Sequence, residues 1–206
     1  MKHALLAASL LIAASPAHAE TYIGVGYQFS ELSVEDDDLS RPLIDGRSVD
    51  LSDSDSDDNF KLLVGYNFNA NWGLELSFYQ LEISNSDEVV LSATEEEEWE
   101  ASVEGNHFAL APVYTHEVSD KFGVRATAGI VYGDYDVEQS HSIDVENGPD
   151  RPVSRSSGSE SEFGGMVGVG VIYRAPWNID VLAEYQYSQT KVVSNSAFSV
   201  SAAYRF

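Results

Sequence analysis

Eight segments of this chain alternate apolar residues with small or polar residues at a period of two. In the last segment, residues 197–206, Phe198, Val200 and Tyr204 fall on one face, and serine, alanine and arginine fall on the other. A period of two places alternate side chains on opposite faces of a β-strand. The chain is therefore predicted to be all-β, with one apolar face along each strand.

Short and long connections alternate between these segments, which are residues 21–30, 60–68, 72–79, 108–115, 122–133, 167–174, 179–188 and 197–206. Three connections are tight turns and three are long and polar, while the one around residues 191–196 is short. An even number of antiparallel strands with this layout is typical of an up-and-down transmembrane barrel. Pairing is expected to be bulged or weakened at Pro112, because proline has no ladder donor.

Aromatic residues at the ends of the apolar faces are predicted to form two tiers, one at each membrane interface. The tier near the turns contains Phe68, Trp72, Tyr114, Phe122, Tyr173, Trp177, Tyr204 and Phe206. The tier near the long connections contains Phe29, Phe60, Phe78, Phe108, Tyr132, Phe163, Tyr187 and Phe198.

Residues 1–19 have the pattern of a secretory signal peptide. Lys2 and His3 form a short positive region, residues 4–14 are apolar, and residues 17–19 (Ala-His-Ala) fit a cleavage site. We expect cleavage after Ala19 and a barrel domain over residues 20–206. The chain contains no cysteine, which excludes disulfides and thiolate sites.

The formal net charge is -23, and the acidic residues are concentrated in the predicted long connections. Of the 34 acidic residues, eleven lie in residues 31–58, eight in 87–104 and eight in 134–162. A nucleic-acid partner is excluded, because such binding requires a basic surface.

Two acidic runs are weak candidates for diffuse binding of divalent cations, which prefer carboxylate oxygens. They contain Asp36, Asp37, Asp38, Asp53, Asp55 and Asp57. The run beginning at Asp53 lacks the glycine and the distal glutamate of an EF-hand loop, so no dedicated metal site and no cofactor are predicted. The alternative is a solvated, self-repelling loop.

The polar faces of the predicted strands carry charged residues that would point into the barrel: Lys61, Glu75, Arg125, Asp180, Glu184 and Arg205, with Arg174 near one mouth. The interior of an eight-stranded barrel is filled by side chains, where an unpaired charge is costly. We expect Glu75 and Glu184 to pair with Arg125. Such a network is either a structural polar core or a gated, minor ion path.

The chain resembles the small eight-stranded outer-membrane β-barrels of the OmpA-like transmembrane, opacity-protein and accessory-colonisation-factor type. The resemblance covers residues 20–206. It rests on residues 24–27 (GVGY), 72–77 (WGLELS), 168–173 (GVGVIY), 183–187 (AEYQY) and 204–206 (YRF). It implies a Gram-negative outer-membrane location, extracellular loops, and contact with lipid and lipopolysaccharide. It also implies that Tyr204 and Phe206 are read by the barrel-assembly machinery.

The resemblance implies a role at the cell surface. The acidic loops would then serve adhesion, colonisation or surface shielding, with a host or matrix receptor as partner. The alternative is a structural barrel with at most small, slow pore activity. We expect no enzymatic activity, because the His-x-Ser pair of a barrel-type lipid A deacylase is absent. His107 and His116 stand alone on their strand, and His141 lies in the third long connection beside Ser142.

Overall fold

The computed structural model describes residues 20–51, 55–146 and 148–206, so the predicted signal peptide lies outside the described residues. The barrel strands are β1 (Glu20–Val34), β4 (Asp55–Asn67), β5 (Trp72–Val90), β6 (Glu95–Glu117), β7 (Phe122–Val145), β8 (Arg151–Ala175), β9 (Ile179–Gln189) and β10 (Val193–Arg205). They close into an antiparallel ring in the order β1-β10-β9-β8-β7-β6-β5-β4, which confirms the predicted eight-stranded barrel. In the described part of the chain, no helix is long and apolar enough to cross a membrane.

Two aromatic rows lie on the outside of the barrel, at the levels where the two tiers were expected. Near the short turns, the Trp72 and Tyr114 rings lie 5.0 Å apart on paired residues of β5 and β6. At the upper end of the barrel, near the predicted long connections, the Phe78 and Phe108 rings lie 4.9 Å apart, also on paired residues. Between the rows, outward residues such as Leu76 are apolar and exposed, as lipid-facing residues are.

The polarity of the two faces reverses above the upper aromatic row. Below it, β5 places Leu76 outside and Glu75 inside; above it, Glu82 is outside while Leu81 and Ile83 are buried inside. The same reversal occurs on strands β1, β6 and β7. Because water replaces lipid outside the barrel at this level, the apolar residues turn inward.

The strands of one side extend well beyond the predicted segments and form a four-stranded sheet that rises above the barrel. We call this the projecting sheet; it consists of residues 80–90, 95–106, 134–145 and 151–162 of β5 to β8. Most acidic residues of the predicted second and third loops therefore lie on strands. Only residues 91–94 join β5 to β6, and residues 146–150 join β7 to β8.

The β6–β7 ladder is interrupted beside Pro112, as the missing donor predicts. Pairing runs to Leu110↔Ile130 and resumes at Val113↔Thr127 with no change of register. On the other side of β6, Pro112 remains paired with Leu74. The disturbance is thus a local gap on one side of the strand.

Residues 35–51 fold over the barrel mouth; we call this segment the cap. It contains helix α1 (Asp37–Ser40) and a hairpin of β2 (Leu43–Ile44) and β3 (Arg47–Ser48). The hairpin turns at Asp45 and Gly46, both with positive φ, a conformation that favours an Asp-Gly pair. Ile44, Val49 and Leu51 are buried against the inward apolar residues of the projecting sheet, so the cap shares its core.

Candidate functional site

The centre of the barrel interior holds a buried ion pair between Arg125 and Glu75. Arg125 Nη2 donates to Glu75 Oε2 at 2.8 Å, and Tyr22 Oη donates to the same oxygen at 2.7 Å. Gly65 makes room for the tyrosine, since a Cβ there would lie 2.0 Å from Tyr22 Cζ. The carboxylate is therefore held by two donors across the barrel.

Glu184 has a different partner from the one expected. Its Oε2 lies 3.8 Å from Lys61 Nζ, and its Oε1 accepts a hydrogen bond from Thr127 at 2.9 Å. Lys61 also donates to Gln186 Oε1 at 3.0 Å. Two carboxylates thus face two cations in one interior layer, as burial of charge requires.

A second charged group lies near the short-turn mouth. Arg205 Nε lies 2.9 Å from Asp180 Oδ2, and Arg205 Nη1 lies 3.3 Å from Glu20 Oε2. Arg174 pairs with Glu117 at the rim. Between this group and Arg125 lies a cavity of about 30 Å³, which is large enough to hold water.

The outer face of the projecting sheet is acidic, with like charges directly opposite each other. In the strand register, Glu82 lies opposite Glu104, and Glu104 lies opposite Asp136 on the next strand. Glu88 likewise lies opposite Glu98. Burial, together with the nearby carboxylates of Asp144, Glu100 and Glu88, raises the pKa of Glu98. Such pairs destabilise a sheet, so charge density is retained here at a cost in stability.

The projecting sheet has two edges, and they differ. The β5 edge is covered by residues on its β4 side: Glu82 N–H donates to Asp57 Oδ2 at 3.0 Å, and Asn85 Nδ2 donates to the Asp50 carbonyl at 2.7 Å. The β8 edge pairs with β9 only from Gly165 onward. Within the described residues, β8 residues 151–164 therefore have no strand on that side.

A histidine joins the cap to the projecting sheet. His141 of β7 is 6% exposed; its Nδ1 lies 2.9 Å from Asp45 Oδ2 of the cap, and its Nε2 lies 2.8 Å from Glu97 Oε1 of β6. The imidazole stacks on Trp99 with ring centres 4.7 Å apart. The sequence predicts only that His141 lies in the third long connection beside Ser142; it does not indicate these two partners, which are 44 and 96 residues away along the chain.

The acidic residues proposed for diffuse cation binding have structural contacts where their side chains are described. Asp36 Oδ1 accepts the Leu39 N–H at 3.2 Å at the start of α1, and Asp57 accepts from Asn59 and Glu82. Asp53 and the side chains of Asp37, Asp38 and Asp55 lie outside the described part. Among the described residues, no group of three or more histidine or acidic side chains is arranged to hold a metal.

The proposed assembly residues lie on the outer surface of the closing strand. Tyr204 of β10 is paired with both Ile23 of β1 and Ile179 of β9. Its ring packs edge-on against that of Phe206 at 5.1 Å. Both aromatic side chains are exposed on the lipid-facing side.

Two solved structures share this fold over nearly their whole length. OprG, an outer membrane protein from Pseudomonas aeruginosa, aligns with a TM-score of 0.56 and 14% identity, covering 92% of this chain and 96% of OprG. Ail, the attachment invasion locus protein of Yersinia pestis, was solved in complex with the heparin analogue sucrose octasulfate. It aligns with a TM-score of 0.51 and 20% identity, covering 92% of this chain and 99% of Ail.

Sequence comparison assigns the family. No curated protein matches the sequence. The profile of the family described as "Outer membrane protein beta-barrel domain" matches residues 4–206. The described residues within this match carry the lipid-facing band, the reversal of polarity above it and the closed ring of strands. The chain belongs to the outer membrane protein beta-barrel domain family and is an integral protein of the Gram-negative outer membrane, with its projecting sheet and cap on the extracellular side.

Proposed function

We propose that the protein acts at the cell surface in adhesion or colonisation, by binding a partner along the open β8 edge of the projecting sheet. This edge is the observation that carries the proposal. An unpaired strand edge offers a row of N–H and C=O groups to which an extended segment of another protein can add. A role limited to surface shielding would not need such an edge.

The backbone groups that face the open side can be identified from the register. Arg174 N–H donates to the Lys121 carbonyl, which fixes the bonded pairs of the β7–β8 ladder. Bonded pairs alternate in an antiparallel ladder, and the register continues unchanged to His141↔Ser154. The even-numbered residues of this part of β8 therefore bond β7. Residues 155, 157, 159, 161 and 163 direct their N–H and C=O groups to the free side.

The charge of the surroundings favours a basic partner segment. Glu160 and Glu162 lie along the edge, and Asp134 and Asp136 lie on the adjacent strand. The net charge of -23 disfavours a second copy of this chain and a polyanion such as the sulfated ligand in the Ail structure. An extended segment with lysine or arginine at alternate positions would suit both the edge and the charge.

The test is cell retention on host-cell and matrix-coated surfaces, with the barrel displayed at equal abundance. Ser157→Pro together with Ser159→Pro removes two N–H donors from the free side and leaves the β7 ladder intact, since proline is tolerated on an edge. The matched control is Ser157→Ala with Ser159→Ala, which keeps both donors. We expect the proline variant to lose about thirtyfold in retention, because the two lost hydrogen bonds contribute roughly 1 kcal/mol each.

Equal retention by the proline and alanine variants would refute docking at this edge. Equal retention by cells with and without the barrel would refute adhesion altogether. A change in the heat-dependent gel migration of the proline variant would show that the barrel itself had been damaged. In that case, Ser161→Pro with its own Ser161→Ala control repeats the test closer to the membrane.

The alternative is a structural barrel with at most a small, slow pore. The two ion pairs that cross the interior and the 30 Å³ cavity beside them favour a filled barrel. Single-channel recording separates the two: a filled barrel gives no steady current, and a gated path gives rare, small openings that Arg125→Leu would enlarge.

We further propose that Tyr204 and Phe206 form the assembly signal read by the barrel-assembly machinery, and that residues 1–19 are removed on export. The exposed position of both rings on the closing strand supports the first proposal. The three-part pattern of the N-terminal residues supports the second.

A further inference from the structure

The contact between His141 and the cap requires a particular protonation state of the imidazole. Each ring nitrogen lies within 2.9 Å of a carboxylate oxygen, Nδ1 beside Asp45 and Nε2 beside Glu97. A neutral imidazole carries one N–H and can donate to only one of them, so the other nitrogen would direct its lone pair at an anion. The geometry therefore corresponds to the imidazolium, which donates to both.

Besides its buried apolar residues and the hydrogen bond from Asn85 to the Asp50 carbonyl, the cap has further polar contacts with the projecting sheet near this point. Ser154 of β8 donates its hydroxyl to Asp45, and Arg47 of the hairpin pairs with Asp87 of β5 at 2.6 Å. The Arg47 guanidinium also lies 4.9 Å from the centre of the Trp99 ring, and the His141 imidazole stacks on the same ring. Asp87 remains charged at any pH near neutral, since Arg47 holds the pKa of that carboxyl below its usual value.

We propose that cap residues 41–51, which contain the β2–β3 hairpin, form a pH-dependent latch. Cationic His141 holds this latch closed through Asp45, with Glu97 of β6 beside its other nitrogen, and the latch opens when His141 loses its proton. Opening would expose Trp99 and separate the cap from the β5 edge that it covers. The latch is thus a device for uncovering a second strand edge on the sheet, independent of the β8 edge.

The direction of the pH dependence follows from the two partners. The hydrogen bond with Asp45, opposed by burial and supported by Glu97, raises the pKa of His141 above its ordinary value. A raised pKa means that the contribution to closure is complete below the ordinary histidine pKa and is lost as pH rises through the higher value. The hydrogen bonds from Ser154 and, to a smaller extent, from His141 lower the pKa of Asp45. The Asp45 carboxylate therefore becomes protonated, and its contact with His141 weakens, only in strongly acidic solution.

The absence of native cysteine allows a direct test on the full barrel in lipid vesicles. Val49→Cys places a thiol at a position that is 1% exposed in the closed cap. Ser48→Cys places a thiol at the adjacent position, which is exposed to solvent in the closed cap. The ratio of their maleimide labelling rates cancels the effect of pH on thiol reactivity. We expect this ratio to rise about tenfold from pH 6 to pH 8.5, as for the loss of one charge-assisted hydrogen bond.

The histidine variants assign the effect. His141→Gln is expected to give the high ratio at both pH values, while His107→Gln, which changes the buried interior histidine, keeps the pH dependence. A ratio that does not change with pH in the parent chain would overturn the proposal, as would pH dependence that survives in His141→Gln or disappears in His107→Gln. If Val49→Cys fails to give a heat-modifiable barrel, Ile44→Cys, buried in the same hairpin, replaces it.

Discussion

The buried Arg125–Glu75 pair offers the sharpest test of how the interior is stabilised. Both side chains are nearly inaccessible, at 4% and 6% exposure, and their atoms are 2.8 Å apart. Removing one member of a buried pair leaves an uncompensated charge and costs about 3–5 kcal/mol, whereas replacing both by apolar residues is often close to neutral. We therefore expect Arg125→Leu and Glu75→Leu each to be strongly destabilising, and the double variant to recover most of the loss.

The surrounding charges are unbalanced in either single variant. Without Arg125, the two carboxylates of Glu75 and Glu184 face only Lys61 across the interior. Without Glu75, the two cations Arg125 and Lys61 face only Glu184. Arg125→Leu and Glu75→Leu should therefore lower the free energy of unfolding by comparable amounts. Urea unfolding in lipid vesicles, followed by tryptophan fluorescence, measures all four members of the cycle. Additivity of the two single effects within about 0.5 kcal/mol would refute the coupling.

Two further predictions concern export and assembly. The intact mass of the protein isolated from outer membranes should correspond to a chain beginning at Glu20, and retention of residues 1–19 would contradict the signal-peptide assignment. Phe206→Ser should lower the amount of heat-modifiable barrel in the outer membrane while leaving refolding of the purified chain into detergent unchanged, with Ser194→Ala on the same strand as control. Equal loss in both assays would indicate a stability effect instead of a recognition effect.

The membrane-spanning part of the fold was predictable because its signal is local. Alternation along residues 72–79 or 197–206 assigns each side chain to a face without knowledge of any other strand. The interior residues Lys61, Glu75, Arg125 and Glu184 follow from the same rule. Their pairing does not, because a strand pattern does not show which side chains face each other across the barrel. The predicted partner of Glu184 is Arg125, whereas in the structure Glu184 lies beside Lys61.

The extracellular part was not predictable by the same rule, because it depends on contacts between distant segments. The cap reads as a polar, acidic loop, yet Ile44, Val49 and Leu51 are buried in it. The buried cluster to which they belong also contains residues of β1, β5, β6, β7 and β10. Isolated apolar residues in an acidic run carry no period, so nothing in the sequence distinguishes them from solvent-exposed ones. The same limit hid the two carboxylates around His141.

One part of this limit can be removed, because the reversal of polarity is itself a sequence signal. On β5 the predicted strand ends at Tyr79, where the outward face ceases to be apolar, although the alternation continues through Leu81 and Ile83 on the inward face. A strand that keeps its period but exchanges its polar and apolar faces has passed from lipid into water. On β5 and β6 the polar and apolar faces exchange just on the extracellular side of Phe78 and Phe108, which are paired with each other. In this chain, the point at which the apolar residues move from the outward to the inward face of an unbroken strand therefore marks the extracellular boundary of the membrane. The strand continues beyond this boundary.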